Sequence, residues 1–435
     1  MTWIFDKKLG IMFSMKKYKI ATLGCRTNQY ESQAFLDQLK KKGYEEARDG
    51  EKADLCIVNT CTVTESADKR SLYQIRKLAR EYSPKRMVVT GCFAERSQKM
   101  LRALQEVTDI VPNSKKEELL PMIFPEEEWP EFQIERFEAH TRAFVKIQDG
   151  CNSYCSYCII PFVRGRSRSK KVFEILREVE ALVKNGYKEV VLTGINIGDF
   201  DGDGTPPVRL GDLVRQVDKI EGLERIRISS IDPDEVDDDL LDAVINGKKA
   251  CPSMHIVLQS GSNLTLKRMR RKYTKQDFID ATERLLKADP RFTFTTDIIV
   301  GFPGESEEEF QETLALMREV RFAKVHMFPY SDRPKTRASR MPNKISPELI
   351  QERKAELLKV AEQNAFDLRN QFIGETFSVL LETPTMGHTE NFLPVVVPDN
   401  NLCPNTLINV TCVDNNSEGL IGENQADAKI QTLFA

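Results

Sequence analysis

The sequence predicts an α/β protein in which two successive parallel-sheet units are followed by a small all-β module. Three observations carry that prediction. Short apolar runs alternate with longer helical patterns across residues 15–125 and again across 141–371. A proline- and acid-rich stretch, 126–140, reads as a linker between the two runs. In 372–435 the helical pattern stops, and short strands separated by Pro, Gly and Asn take over.

Taken in order, residues 1–14 read as an extension, because Met15-Lys16-Lys17 opens directly onto the first good strand. They lack the sustained apolar core and small-residue cleavage site of a secretory signal. In the first unit Tyr18–Leu23, Asp54–Asn59 and Arg86–Thr90 are the expected strands. In the second they are Phe144–Gln148, Glu189–Ile195, Arg225–Ser229, Met254–Leu258, Phe292–Val300 and Lys324–Pro329. Helical segments such as Val172–Asn185 and Glu307–Val320 lie between these, and the charged helix Pro347–Gln371 closes the unit. Six strand–helix repeats fit a partial (β/α)6 barrel, although periodicity alone also allows a doubly wound sheet. The last module should contain Phe377–Glu382, Phe392–Val397 and Ile408–Val413.

A chain of 435 residues has room for about two to four ordinary domains. No uninterrupted apolar run approaches the ~18 residues of a membrane span, so no membrane partner is expected. The ten cysteines show no disulfide-scaffold spacing, which fits a reducing, cytoplasmic location and cysteines used as ligands or core. A net charge of −3 favours no class of partner.

Cys151, Cys155 and Cys158 form the most informative motif, C-x3-C-x2-C. Structural zinc closes its shell with four protein ligands, and no fourth Cys or His lies close by in sequence. Three thiolates suit an iron–sulfur cubane with one iron left open to a small molecule. Chance clustering of core cysteines is the competing reading, and the polar Asn152, Ser153, Tyr154, Ser156 and Tyr157 argue against it. A second set follows three strand ends, at Leu23-Gly24-Cys25, Asn59-Thr60-Cys61 and Thr90-Gly91-Cys92. Parallel strands end on one edge of their sheet, so Cys25, Cys61 and Cys92 should converge there and hold a second cluster. Cys56, inside the run Leu55–Val58, reads as core. The second unit's strand ends carry Asn196, Ser229, Gln259, Ser260 and Gly301, which would line a mouth beside the Cys151 loop.

With these motifs the chain resembles the methylthiotransferase family of radical S-adenosylmethionine enzymes from Met15 onward. C-x3-C-x2-C alone identifies the radical superfamily, and Gly24-Cys25, Asn59-Thr60-Cys61 and Gly91-Cys92 narrow it. Leu23-Gly24-Cys25-Arg26-Thr27-Asn28-Gln29-Tyr30-Glu31-Ser32 and Arg164-Gly165-Arg166-Ser167-Arg168-Ser169 look like the branch that modifies threonylcarbamoyl-adenosine at tRNA position 37. Thr193-Gly194-Ile195-Asn196-Ile197-Gly198 does too. Other branches modify isopentenyl-adenosine in tRNA or an aspartate of a ribosomal protein; the isopentenyl branch usually carries an acidic residue where this chain has Arg166.

The resemblance implies that 15–125 is a cluster domain, 141–371 a radical core and 372–435 a TRAM-type β-barrel. It implies a 4Fe-4S cluster on Cys151, Cys155 and Cys158 that binds S-adenosylmethionine, cleaved by one electron to methionine and a 5′-deoxyadenosyl radical. An auxiliary 4Fe-4S cluster on Cys25, Cys61 and Cys92 would carry the sulfur, and a second S-adenosylmethionine the methyl group. Asn196, Ser229, Gln259, Ser260 and Gly301 would line the S-adenosylmethionine pocket. tRNA is the implied partner, DNA is not, and a flavodoxin-type protein is the usual electron donor.

Two departures stand out. Family members often have Gly-Thr where this chain has Pro334-Lys335-Thr336. The last module carries eight acidic residues and one basic, Lys429, a net of −7 that would repel phosphates. Positive footing for tRNA would then come from Arg164, Arg166, Arg168, Lys170 and Lys171, or from Lys267, Arg268, Arg270, Arg271 and Lys272. A non-catalytic iron–sulfur RNA-binding protein is the rival from another class, and it needs no polar mouth.

Overall fold

The computed structural model describes residues 3–5, 12–138, 140–398 and 402–425. In the first unit five parallel strands stand in the order Glu45–Glu46, Lys17–Thr22, Leu55–Thr60, Arg86–Gly91, Asp109–Val111. Leu55–Thr60 is buried at every position because helices cover both faces of the sheet. Its alternating side chains divide accordingly: Cys56 and Val58 pack with Ile75 and Leu78 of helix Glu65–Tyr82. Leu55 and Ile57 pack with Phe35 and Leu39 of helix Arg26–Lys41.

The second unit has six parallel strands in chain order: Arg142–Lys146, Glu189–Thr193, Arg225–Ile231, Ala250–Ile256, Thr293–Val300, Lys324–Pro329. A doubly wound sheet would reverse its order at a switch point; this one never does, which is the progression of an open barrel. Helix Glu307–Val320 starts in a capping box, Ser306 against Glu309, which fixes its first turn beside the preceding strand end. The open side lies between Arg142–Lys146 and Lys324–Pro329. Helix Arg26–Lys41 packs beside the first of these strands, and helix Pro347–Asn370 beside the last.

The third unit is a closed five-stranded barrel, in the order Thr376–Thr383, Met386–Thr389, Pro394–Val396, Leu420–Asn424, Leu407–Asn415. It sits against the amino-terminal ends of the six strands. Arg225 and Arg227 donate to its backbone carbonyls at Ser378, His388, Thr389 and Glu390, with Arg227 Nη2 2.8 Å from the Thr389 oxygen. Arg142 Nη2 meets Glu382 Oε1 at 2.9 Å, so part of the module's acidic charge is spent on the core. Asp399, Asp427 and Lys429 lie outside the described residues.

The stretch expected as a linker has little regular structure, yet Ile134 and Phe137 are buried in the core of the half-barrel. Phe132 packs on both Tyr30 and Phe35. Within the expected extension, Trp3–Phe5 and Met12–Ser14 pair antiparallel, and the rest of it lies outside the described residues. Among the described residues no helix is long and apolar enough to cross a membrane.

Candidate active site

Lys17–Thr22, Leu55–Thr60 and Arg86–Gly91 are neighbours in one parallel sheet, so Cys25, Cys61 and Cys92 leave it on the same edge. A Cβ on Gly24 would lie 2.9 Å from Cys61 Sγ, and the Cys61 thiol faces those of Cys92 and Cys25. Gly91 holds φ +96°, and a Cβ there would collide with the Thr60 backbone; only glycine lets this turn deliver Cys92. Asn113 Nδ2 lies 3.7 Å from Cys92 Sγ and donates to the Val163 carbonyl at 2.6 Å. Cys56 faces the other way, fully buried in the apolar layer.

The second trio sits on the loop after Gln148–Asp149. Gly150, at φ +72°, presses against the Arg166 carbonyl so closely that no Cβ fits. Ser156 pins the middle of the loop: its N–H donates to Met269 at 2.8 Å, its Oγ to Arg268 at 2.8 Å, and its carbonyl accepts from Ala338 at 2.7 Å. Arg271 Nη1 donates to Cys155 Sγ at 2.9 Å, and its other amino group pairs with Asp232. The sequence expectation that Arg271 faces RNA phosphates is therefore overturned. Its side chain is buried, stacked over Tyr273, and engaged at both ends, by Asp232 and by the Cys155 sulfur.

Both donor sets suit iron–sulfur clusters. Burial pushes the Cys61 thiol up to about 12 and raises those of Cys92, Cys151 and Cys158, so as free thiols they would be poor nucleophiles. A coordinating metal deprotonates a thiol outright. Among the described residues no three Cys, His, Asp or Glu side chains meet at a point that would hold one metal ion. A cluster asks for something else: each thiolate takes its own iron, so the sulfurs ring a guest.

The polar strand ends divide in two. Gln259 has φ +66°, lines the cleft described below, and leaves its buried Oε1 without a partner. Asn196 Nδ2 donates to Glu235 Oε1 at 2.8 Å. Burial lifts Glu235 to about 7, and the Asp232 carboxylate adds to the rise. A polar chain thus runs from Cys155 through Arg271, Asp232 and Glu235 to Asn196. Ser229 is buried within its strand. Ser260 is turned toward Thr313, 3.3 Å away, and Gly301 lies against Ile350 of the long helix. Sequence reasoning missed Glu235 and Gln148, and gave Arg271 a different role. Gln148 Oε1 accepts from Ile195 and Asn196 N–H at 3.0 Å, while its Nε2 donates to the Gly150 carbonyl at 2.8 Å. Only its place one turn before the cysteine loop could have marked it.

Charged residues join the two units. Arg164 Nη1 donates to Glu31 at 3.1 Å and to Asp149 at 2.8 Å, and Nη2 reaches Asn28 at 2.5 Å. Burial alone would raise Glu31, but Arg164, Lys116 and Lys146 outweigh it and hold the carboxyl at about 2. Arg164 is fully enclosed, so the expectation that it contacts phosphate is also overturned; it is the bolt between the cluster loop and the first unit. Lys170 pairs with Glu178 at 2.8 Å, and Arg268 pairs with Glu309. Arg166, Lys171, Lys267, Arg270 and Lys272 remain exposed. Across the cleft, Arg333 bonds Asp68 at 2.7 Å and the Thr62 carbonyl at 3.4 Å, next to Cys61. Lys335, which follows in the Pro334-Lys335-Thr336 loop, takes φ +73°, a left-handed backbone that favours glycine.

Beside the loop trio lies an apolar cavity of about 200 Å³, lined by Val63, Tyr157, Cys158, Gln259, Ile299 and Tyr330 among others. Val63 follows Cys61 by two residues, so the cavity touches the turns of both trios.

A half-barrel with three thiols on its first loop defines a radical S-adenosylmethionine enzyme, and the Radical SAM superfamily model matches residues 145–317. Residues 17–112 match the uncharacterized protein family UPF0004. The chain is 47% identical over 414 residues to the threonylcarbamoyladenosine tRNA methylthiotransferase MtaB of Chlamydia pneumoniae, covering 93% of this chain and 97% of that one. It is 37% identical over 401 residues to MtaB of Bacillus subtilis, covering 86% and 89%. It therefore belongs to the threonylcarbamoyladenosine tRNA methylthiotransferase family. In fold it is similar to the radical S-adenosylmethionine methyltransferase TsrM of Kitasatospora setae, with a TM-score of 0.54 at 13% identity, covering 75% of this chain and 77% of that one.

Proposed function

We propose that this chain is a tRNA methylthiotransferase that replaces the hydrogen at C2 of N6-threonylcarbamoyladenosine 37 with a methylthio group. The observation that carries the reading is an apolar cavity lined by Cys158 of the loop trio and by Val63, two residues after Cys61 of the other. Cys151, Cys155 and Cys158 would hold one 4Fe-4S cluster, and Cys25, Cys61 and Cys92 the other. When bound, the clusters and S-adenosylmethionine supply the electron, the hydrogen-abstracting radical, the sulfur and the methyl group.

The chain's own part is positional. Arg271 hydrogen-bonds Cys155 Sγ and fixes its direction. Asn196, held by Glu235, and Gln259, with its free buried oxygen, offer the polar contacts a nucleoside needs at the mouth. Ile299, Val63 and Tyr157 make the cavity beside Cys158 apolar. Arg164 and Arg333 hold the two units at a fixed separation, so a base between them meets both sites. Exposed Arg166, over the Tyr154 ring, and Lys171, over Phe173, lie beside the cysteine loop and suit phosphate and base contacts. The acidic carboxyl-terminal barrel closes the floor of the core and leaves RNA contact to these cations. The cytoplasm is the matching compartment, and a flavodoxin-type protein the matching electron donor.

Nucleoside mass spectrometry of tRNA from a deletion strain tests the reading. Loss of 2-methylthio-threonylcarbamoyl-adenosine, restored by this chain, is expected. An unchanged level, with loss of methylthio-isopentenyl-adenosine or of a modified ribosomal-protein aspartate, would assign the enzyme to another branch.

A further inference from the structure

Arg26 follows Cys25 directly and lines a recess of the half-barrel, shared with Arg142, Phe144, Arg227, His255 and Thr295 and bordered by Phe392 of the carboxyl-terminal unit. The other guanidiniums there are satisfied. Arg227 Nε meets Glu189 at 2.6 Å, and Arg142 meets Glu382 at 2.9 Å. Asp297, the carboxylate that faces Arg26, lies 3.3 Å from His255 Nε2. Among the described residues the Arg26 side chain has neither hydrogen bond nor ion pair; it lies over the Phe144 ring at 5.5 Å. The side chain is half-buried, and its guanidinium, engaged by no protein acceptor, has its hydrogen-bond donors free for an anion. The recess measures about 60 Å³, roughly the space of four to six waters, enough for a carboxylate and a small hydroxyalkyl group.

We infer that Arg26 is a specificity-determining residue that binds the carboxylate of the threonylcarbamoyl group. The inference rests on the proposed substrate, and chemistry links the two. Coupling threonine through its amine leaves the carboxylate and hydroxyl free, so the target carries one negative charge that plain adenosine lacks. In adenine, N1 lies between C2 and C6, so the N6 substituent and the carbon to be modified share one edge of the base. A residue adjacent in sequence to Cys25 is therefore placed to read that substituent while C2 faces the trio. Arg presents a planar fork that matches a carboxylate with two parallel hydrogen bonds, which Lys cannot do. Ser253 and Thr295, also in the recess and held by Arg227 and His255 at 2.8 Å each, have hydrogen-bonding capacity left for the threonine side chain.

The test compares two anticodon stem-loop RNAs, one carrying threonylcarbamoyl-adenosine and one its neutral carboxamide analogue, with reconstituted wild-type, Arg26→Lys and Arg26→Gln enzymes. Wild type should prefer the carboxylate RNA by about tenfold or more in kcat/KM. Arg26→Gln should lose that preference, falling on the carboxylate RNA while its activity on the carboxamide RNA changes little, and Arg26→Lys should recover part of it. RNA binding by fluorescence anisotropy should follow the same order, and iron per chain should stay constant across the three. Equal use of both RNAs by wild type, or an equal fall on both in Arg26→Gln with iron retained, would overturn the assignment to Arg26. Wild type inactive on both RNAs yet active on an isopentenyl-adenosine stem-loop would instead overturn the substrate itself, and the Arg26 assignment with it.

Discussion

Cys151, Cys155 and Cys158 come from one loop, whereas Cys25, Cys61 and Cys92 come from three strand ends that meet only when a sheet forms. The loop trio is fixed by neighbours: Ser156 is tied to Met269, Arg268 and Ala338, and Cys155 to Arg271. The strand-end trio is fixed by topology, since adjacent parallel strands place the residues after them side by side. Both use a glycine at positive φ just before a cysteine, Gly91 in one and Gly150 in the other, where the backbone passes too close to a neighbour for a side chain. A local loop can be altered without disturbing the fold, but a strand-end site shares its integrity with the whole sheet.

Substitutions separate the two sites, and the largest effect should come from the loop. Cys155→Ala should bring 5′-deoxyadenosine formation below detection and lower iron to about four per chain, while the strand-end site keeps its iron. Retained cleavage of S-adenosylmethionine would remove the loop trio from its assigned role. Next, Cys92→Ala should still cleave S-adenosylmethionine but yield no methylthiolated RNA. A variant that transfers sulfur normally would break the division of labour between the sites.

Arg164→Ala probes the bolt between them. It leaves Glu31 and Asp149 buried without their main counter-charge, and should cost about 3–5 kcal/mol in denaturant unfolding. The same cluster sets a pH dependence. Glu31 is held near 2 in the folded chain, below its ordinary 4.5. Its contribution is complete above about pH 4.5 and is lost as pH falls toward 2. Wild type should therefore lose more stability over that window than Glu31→Gln, and parallel curves would show that Glu31 does not carry the effect. Smallest of all, Cys56→Ala should cost about 1 kcal/mol and leave iron content unchanged. Loss of a cluster there would move a ligand from Cys61 to Cys56.

The sequence exposed these sites unequally. The loop trio shows as bare spacing. The strand-end trio shows only once Tyr18–Leu23, Asp54–Asn59 and Arg86–Thr90 are taken as parallel strands, which the structure places at Lys17–Thr22, Leu55–Thr60 and Arg86–Gly91. Short edge strands escaped because two or three residues, as in Glu45–Glu46 and Asp109–Val111, show no period. Met386–Thr389 escaped because Gly387 and His388 break its alternation. The destinations of Arg164 and Arg271 were hidden for a different reason. A basic residue in sequence looks the same whether it meets solvent or a carboxylate contributed from elsewhere in the chain, and Glu31 lies far upstream of Arg164.

The carboxyl-terminal barrel is clasped chiefly through main-chain oxygens, at Ser378, His388, Thr389 and Glu390. Every amino acid offers that acceptor, so the grip is indifferent to which side chains decorate the module. Its outer surface is thereby free to change in charge without loosening the seat that seals the base of the catalytic chamber.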